Sequence, residues 1–416
     1  MFKKIRSTFI VINVSMLSAF LTTIFLARKL SIADFGGYSL IKQIITIGTS
    51  IATLGLGHSF TRNFANKKGC LLEVHGVTGL ILFVMSFFLG MVIQKVYNYS
   101  ITQTFWMFLA IFCGAVSIYT AANYRINNRY FIGQITESSW KIILFLTVIF
   151  IYILKISVTL NIMYLLIFLS FLLPSLTYFT LFCWNQSDKK EEINYREYFL
   201  YGLTFWTINS AGLLSGAIDK FIIPIIFSKE ILGIFTSLSF IYITFFNMLG
   251  SAIGYVLFPT LSKGERINWK KMLVLVGSIL AFSVILFAVL GKYLVSIAYG
   301  GKYDEYNSWF FINSFIFLGI IQMINTIAHF IMLAFGKRRD LILYFGTIIG
   351  STGLFIAMIW ISRTFFRLSL QTLTLNIIGM WIIKIIGISL IFLAIYRRNK
   401  TNDNKNETSF SELNFI

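Results

Sequence analysis

Few residues in this sequence have types and spacing suited to chemistry, and those few stand in apolar surroundings. In the run LLSGAIDKFIIPIIFSKEILGIFTSLSF, residues 213–240, Asp219 and Lys220 stand side by side a turn ahead of Pro224. Each charge costs about 2.5–3.5 kcal/mol at a bilayer centre on insertion scales, so charges kept in such a run point to a use. Pro224 removes the helical hydrogen bond to the Lys220 carbonyl, which predicts a bend or a free acceptor oxygen there. Asn209, Gly212, Gly216 and Lys220 share one helical stripe, with Ser215 and Asp219 beside it, so small side chains leave room next to the charges. Successive helix positions lie about 100° apart, so Asp219 has a choice between pairing with a lysine to lock packing and serving a ligand or coupling ion.

A second stripe carries Ser39, Lys42, Gln43, Thr46, Thr49, Ser50 and Thr53 on one helical face. A single hydroxyl in a membrane helix bonds back to the carbonyl one turn earlier. A whole polar stripe with a lysine in it predicts a lumen lining instead. Ser237, Thr244, Asn247, Ser251 and Tyr255 repeat the pattern, and Ser15, Ser18 and Thr22 add hydroxyls near the start of the chain. Gln322, Asn325 and His329 share a face, with His329 read first as a packing residue and second as a proton relay. Lys384 stands in the middle of an apolar run. The interior charges are net positive, with Arg28 and Lys29 near the outer mouth. Such a lining suits an anionic, sugar-bearing ligand, lysine pairing with phosphate while Asn, Ser and Tyr meet sugar hydroxyls. The candidate substrate-binding or coupling residues are Arg28, Lys42, Gln43, Asp219, Lys220, Asn247 and Lys384.

Other chemistries lack their residues. No GxxxxGKT cradles a nucleotide phosphate, and neither a His/Glu zinc cluster nor an acidic pair in a large outer loop is present. Catalytic residues, metal and cofactor are therefore all expected to be absent. The three cysteines, Cys70, Cys113 and Cys183, suggest no disulfide frame.

Positioning these residues takes a membrane. Of 416 residues 57% are hydrophobic and only 12% charged, with a mean hydropathy of +0.80, which rules out an ordinary soluble core and surface. Apolar runs long enough to cross about 30 Å of hydrocarbon recur near residues 8–27, 36–57, 77–94, 103–122, 140–158, 160–184, 199–227, 231–261, 272–298, 308–335, 340–361 and 372–396. The first is read as a retained helix, since it is long and no convincing cleavage site follows it. The net charge of +19 follows membrane sidedness, not nucleic acid, which is not an expected partner. Clusters such as Lys3/Lys4/Arg6, Lys67/Lys68, Lys189/Lys190 and Arg338/Arg339 fall on the side of both termini, and far fewer basic residues fall opposite. Both termini are thus expected in the cytoplasm.

The polar linker NQSDKKEEINYRE, residues 185–197, predicts two six-helix bundles at 1–184 and 199–396, joined by a cytoplasmic bridge at 185–198 and followed by a polar tail at 397–416. SIADFGGYS (31–39) and SKEILGIFT (228–236) share a serine, a glycine five residues on, an aromatic and a hydroxyl, at an offset of 197 residues. Each copy sits between the first and second helix of its half. Gly36 and Gly233 would allow a tight helix start there, and Asp34 or Glu230 would suit the positive end of the helix dipole. Six spans per half make a parallel repeat. The expected fold is an all-α integral membrane protein.

The segments LARKLSIADFGGYSLIKQIITIGTSIATLGLGHSFTRNFA (26–65), IDKFIIPIIFSKEILGIFTSLS and AYGGKYDEY (298–306) resemble the polysaccharide-biosynthesis flippases of the Wzx type, in the superfamily that also holds lipid II flippases and MATE drug exporters. The resemblance implies two lobes in a V, with the first two helices of each lobe lining a cavity. It implies alternating access for an undecaprenyl-diphosphate-linked oligosaccharide, O-antigen or a related glycan, in a bacterial inner membrane. Membrane lipid and other polysaccharide-assembly membrane proteins are the implied partners. On that resemblance Arg28, Lys42, Asp219 and Lys220 become candidates for diphosphate contact or ion coupling. Two alternatives compete. A MATE-like exporter of organic cations should present acids to its cavity, against the lysine excess here. A membrane glycan polymerase or ligase would want a long basic outer loop, which the sequence does not offer.

Overall fold

The computed structural model describes residues 2–57, 59–60, 72–127, 129–184, 195–262, 269–335, 338–365 and 369–403. Among them every regular element is a helix. The helices are α1 (Phe2–Lys29), α2 (Ile32–Ala52), α3 (Leu72–Tyr97), α4 (Ile101–Ile126), α5 (Tyr130–Ile153) and α6 (Leu160–Ser175), which continues through a 3₁₀ turn (Leu176–Tyr178) into α7 (Phe179–Trp184). Then come α8 (Tyr195–Ile226), α9 (Lys229–Ser262), α10 (Trp269–Tyr299), α11 (Trp309–Phe335), α12 (Arg338–Phe365) and α13 (Leu370–Asp403). Each expected span has its helix. Eleven of these segments are long and apolar enough to cross a membrane, and the expected span without such a segment is α2, whose lysine, glutamine and hydroxyls dilute its apolar character.

The fifth span differs from the expected 140–158: α5 starts ten residues earlier and stops at Ile153. The polar segment Gln134–Ser138 looks like a loop in sequence, but its groups are satisfied within the protein. Arg125 on α4 bonds the Glu137 carboxylate, and Gln134 Nε2 donates to Ser138 Oγ at 2.7 Å. Helix can therefore run through them.

The helices gather into two compact units, Met1–Thr236 and Ser237–Ile416. Most of the polar bridge, 185–194, lies outside the described residues, and its last four residues open α8. In the first unit α4 is central, set against α2, α3, α5 and α6, with α1 along α5 and α8 along α2. Ala110, Ala115 and Ala121 of α4 are fully buried, small residues that let helix backbones approach where lipid offers no hydrophobic push. Trp140 stacks on Phe171 at 4.5 Å between α5 and α6. The three α1 hydroxyls, Ser15, Ser18 and Thr22, do not line an opening. They are buried and bond back to carbonyls one turn earlier, at 2.7–2.8 Å.

In the second unit α13 packs along α11 and α12, and α10 lies against α11. Tyr242 of α9 meets Phe287 edge-on at 5.6 Å. The AYGGKYDEY segment forms a tight turn: Gly300 and Gly301 take φ of 65° and 80°, and Ser296 Oγ donates to Asp304 Oδ2 at 2.9 Å.

Candidate functional site

The site is built around α2. Its start is fixed by Ser31, whose hydroxyl accepts from Asp34 N at 3.1 Å and donates to the Asp34 carboxylate at 2.7 Å. The second motif copy does the same job, Ser228 Oγ accepting from Ile231 N at 3.2 Å at the start of α9. The repeated serines are thus matching helix caps. The repeated glycines meet. A Cβ on Gly36 would lie 1.7 Å from the Lys229 carbonyl oxygen, and one on Gly233 would lie 2.2 Å from the Ile32 carbonyl oxygen. Each glycine therefore touches the carbonyl four residues ahead of the other, and the tight start expected for each helix is in fact a mutual crossing.

The far end of α2 is closed as well. Leu54 and Gly55 take φ of 45° and 66°, breaking the helix. A Cβ on Gly55 would lie 2.3 Å from the Gly202 carbonyl oxygen of α8. Trp206 Nε1 donates to the Ile51 carbonyl at 2.9 Å, and Ser59 Oγ to the Tyr198 carbonyl at 2.5 Å. Behind this seam, His75 bonds Tyr119 at 2.8 Å and Thr78 bonds Tyr198 at 3.0 Å, all buried.

Between these two seams the polar stripe of α2 divides. Ser39, Thr49 and Thr53 are buried, Thr49 against Gly114 of α4, whereas Thr46 is exposed and Lys42, Gln43 and Ser50 are partly open. Lys42 Nζ donates to Thr23 Oγ1 of α1 at 3.2 Å and lies 5.9 Å from the centre of the Tyr38 ring. The charges acting on it are Lys220 of α8 and Lys141 of α5. Lys141 is not among the expected site residues, because a span beginning at Trp140 makes a lysine one residue in look like an edge. With α5 starting at Tyr130, Lys141 sits three turns inside the helix, partly buried.

Asp219 is partly buried beside this group, and Lys220 is the charge that acts on it. Among the described residues no cation lies within ion-pair distance of its carboxylate. The stripe leading to it is open: a Cβ on Gly212 or Gly216 would meet nothing within 4 Å. Pro224 lies inside α8, which continues to Ile226, and Tyr97 donates to the Phe221 carbonyl in that turn at 3.2 Å. The structure thus brings Lys42, Gln43, Asp219 and Lys220 onto adjoining helices of one unit. Arg28 belongs to the same unit, exposed at the end of α1.

The remaining two candidates lie in the second unit. Asn247 Nδ2 donates to Gln322 Oε1 at 2.9 Å, tying α9 to α11. Lys384 is buried, 2% exposed, with its ammonium 4.3 Å from the centre of the Trp381 ring. His329 bonds Tyr344 at 2.9 Å, a packing contact between α11 and α12. Tyr255 has its side chain outside the described residues.

Among solved structures, the fold is similar to an inward-facing multidrug-resistance MATE transporter of the MOP superfamily, with a TM-score of 0.62 at 13% identity over 93% of this chain and 96% of that one. It is similar to the lipid II flippase MurJ in an inward closed conformation, with a TM-score of 0.63 at 12% identity over 94% and 87%. It is also similar to the Vibrio cholerae MATE transporter VcmN in its bent form, with a TM-score of 0.57 at 13% identity over 97% of each chain. Identities this low speak to fold alone, and the fold is the all-helical one of that superfamily. Comparison with curated protein sequences returns no match. A family model described as polysaccharide biosynthesis protein matches residues 25–308, most of the chain, and the chain therefore belongs to the polysaccharide biosynthesis family.

Proposed function

We propose that this protein is a flippase that carries an undecaprenyl-diphosphate-linked oligosaccharide from the cytoplasmic to the outer leaflet of a bacterial inner membrane by alternating access, with both termini in the cytoplasm. The observation that carries the reading is the lysine group on α2, α5 and α8: Lys141 and Lys220 both act on Lys42, which stands on the partly open, hydroxyl-bearing face of α2. Three ammonium groups together are costly inside a membrane unless an anion joins them. A diphosphate supplies the charge, and Gln43, Thr46 and Ser50 offer partners for sugar hydroxyls. Asp219, beside them with no cation within ion-pair distance, is assigned to a coupling cation or proton. Arg28 would meet the diphosphate at the outer mouth, and Asn247 and Lys384 would serve the second unit. The family and the likeness to MurJ support a lipid-linked substrate, and the excess of lysine over acid speaks against an exporter of organic cations.

The proposed bundles are 1–184 and 199–396. The test is the fate of the lipid-linked repeat unit in cells lacking the protein. The reading expects units to accumulate in the cytoplasmic leaflet, with none reaching the surface. Single units exported and attached would instead identify a polymerase and overturn it.

A further inference from the structure

The end of α1 and the turn joining α5 to α6 enclose a groove of about 570 Å³ that the proposed path does not use. Lys29, Tyr152, Lys155 and Ser157 line it among aliphatic residues that include Ile153 and Ile156. Tyr152 is clamped from α1: Phe25 meets its ring edge-on at 5.0 Å, and the Lys29 ammonium lies 4.5 Å from its centre. Lys155 breaks a local rule. Its N–H donates to the Tyr152 carbonyl at 3.0 Å and that of Ile156 to the Ile151 carbonyl at 3.2 Å, the paired bonds that end a helix on a left-handed residue. That residue is usually glycine, yet here it is Lys155 at φ 57°.

A helix C-terminus favours a nearby cation, which accounts for Lys29 in the last turn of α1. It does not account for a lysine at the strained position, since a cation one residue earlier would serve the dipole without strain. Among the described residues no carboxylate lies within ion-pair distance of Lys29 or Lys155. On the proposed topology, moreover, this end of α1 faces the outer leaflet, where basic residues are scarce. Ile153 and Ile156, 66% and 46% exposed, complete an amphipathic rim where the apolar span of α5 ends.

We infer that this groove binds the phosphate-bearing headgroup of an outer-leaflet lipid, with the Lys29 and Lys155 ammonium groups on the phosphate oxygens and Ile153 and Ile156 along its chain. The inference takes only the topology from the proposed function. Phosphate of this kind is shared by anionic phospholipid and by polyprenyl diphosphate. Strain offers a clean variant, because Lys155→Gly removes the charge while giving the backbone the residue it prefers.

The test measures lipid binding to the purified full chain in detergent by native mass spectrometry, with phosphatidylglycerol, phosphatidylcholine and undecaprenyl diphosphate as separate probes. Lys155→Gly and Lys29→Gln are each expected to weaken binding of a phosphate-charged lipid at least threefold, and the double variant about tenfold. Lys155→Gly should melt no lower than wild type, and phosphatidylcholine binding should be unchanged. Loss confined to phosphatidylglycerol assigns the groove to bulk phospholipid, and loss confined to the diphosphate assigns it to polyprenyl lipid. Unchanged binding of both lipids in the double variant would overturn the inference, as would an equal loss in Lys292→Gln, an exposed lysine of the second unit. The readout is binding, so the result stands whether or not the chain moves oligosaccharide.

Discussion

Replacing Gly36 by alanine puts a methyl group where the Lys229 carbonyl oxygen and the Gly233 nitrogen already are, at 1.7 and 2.8 Å. Non-bonded heavy atoms rest at about 3.5 Å, so the first contact is short by about 1.8 Å. Both neighbours are backbone, and no rotamer change can make room. The crossing of α2 over the start of α9 must open, losing the contacts around the buried Phe35 and Phe235. Helix propensity works the other way, favouring alanine by about 1 kcal/mol, while overpacking typically costs about 1–3 kcal/mol. With rigid neighbours the upper end applies, and the net loss is about 2 kcal/mol, close to a thirtyfold drop in the folded-to-unfolded ratio. The control is Gly76→Ala in α3, where a Cβ meets nothing within 4 Å, so only the propensity gain remains. Thermal unfolding in detergent, followed by tryptophan fluorescence, measures both. Gly233→Ala should behave like Gly36→Ala. The double variant should cost less than the sum, since one separation relieves both clashes. If Gly36→Ala melts no lower than Gly76→Ala, the crossing is not the constraint described above.

Lys42→Ala, Lys141→Ala and Lys220→Ala should each reduce surface polysaccharide while the protein remains folded and inserted. Lys42→Arg should retain more function than Lys42→Ala because the charge persists; normal glycan display in all three alanine variants would refute an anion site. Asp219→Asn should fold and insert normally yet abolish transport driven by a Na⁺ or H⁺ gradient in vesicles. Lower yield with transport intact would return Asp219 to a packing role. Trp206→Phe removes the donor to the Ile51 carbonyl and should cost about 1 kcal/mol in unfolding measurements, with a larger loss for His75→Ala, which removes the buried imidazole that bonds the Tyr119 hydroxyl and leaves a cavity in its place.

The helices were legible in the sequence because lipid forces long apolar runs, and most boundaries fell within a few residues. The exception, α5, failed where Gln134, Glu137 and Ser138 read as loop polarity, although their partners, Arg125 among them, stand within the fold. That same error hid Lys141. The polar stripe of α2 was legible as a face, but not its division, because Thr49 is covered by Gly114 from α4 and only three-dimensional packing decides that. The repeat was legible at nine positions, and its serines proved to be caps. That its glycines touch each other could not be read, since nothing in a local pattern says which backbone a glycine makes room for.

The polarity of α2 has a consequence for how the chain is made. A nascent helix is offered to lipid before the rest of the protein exists, and α2 carries Lys42, Gln43 and a row of hydroxyls into that encounter. Lys42 alone costs about 2.5–3.5 kcal/mol near a bilayer centre. Its Nζ finds Thr23 of α1, already synthesised, but the cover that Gly114 gives Thr49, and the seams formed by Gly202 and Trp206, come later. α2 is therefore expected to enter the membrane as a hairpin with α1 and to gain its remaining cover only once α4 and then α8 have emerged. The seam at the end of α2 closes only after more than a hundred and fifty residues of further synthesis, the distance from Ile51 to Trp206 being 155 positions.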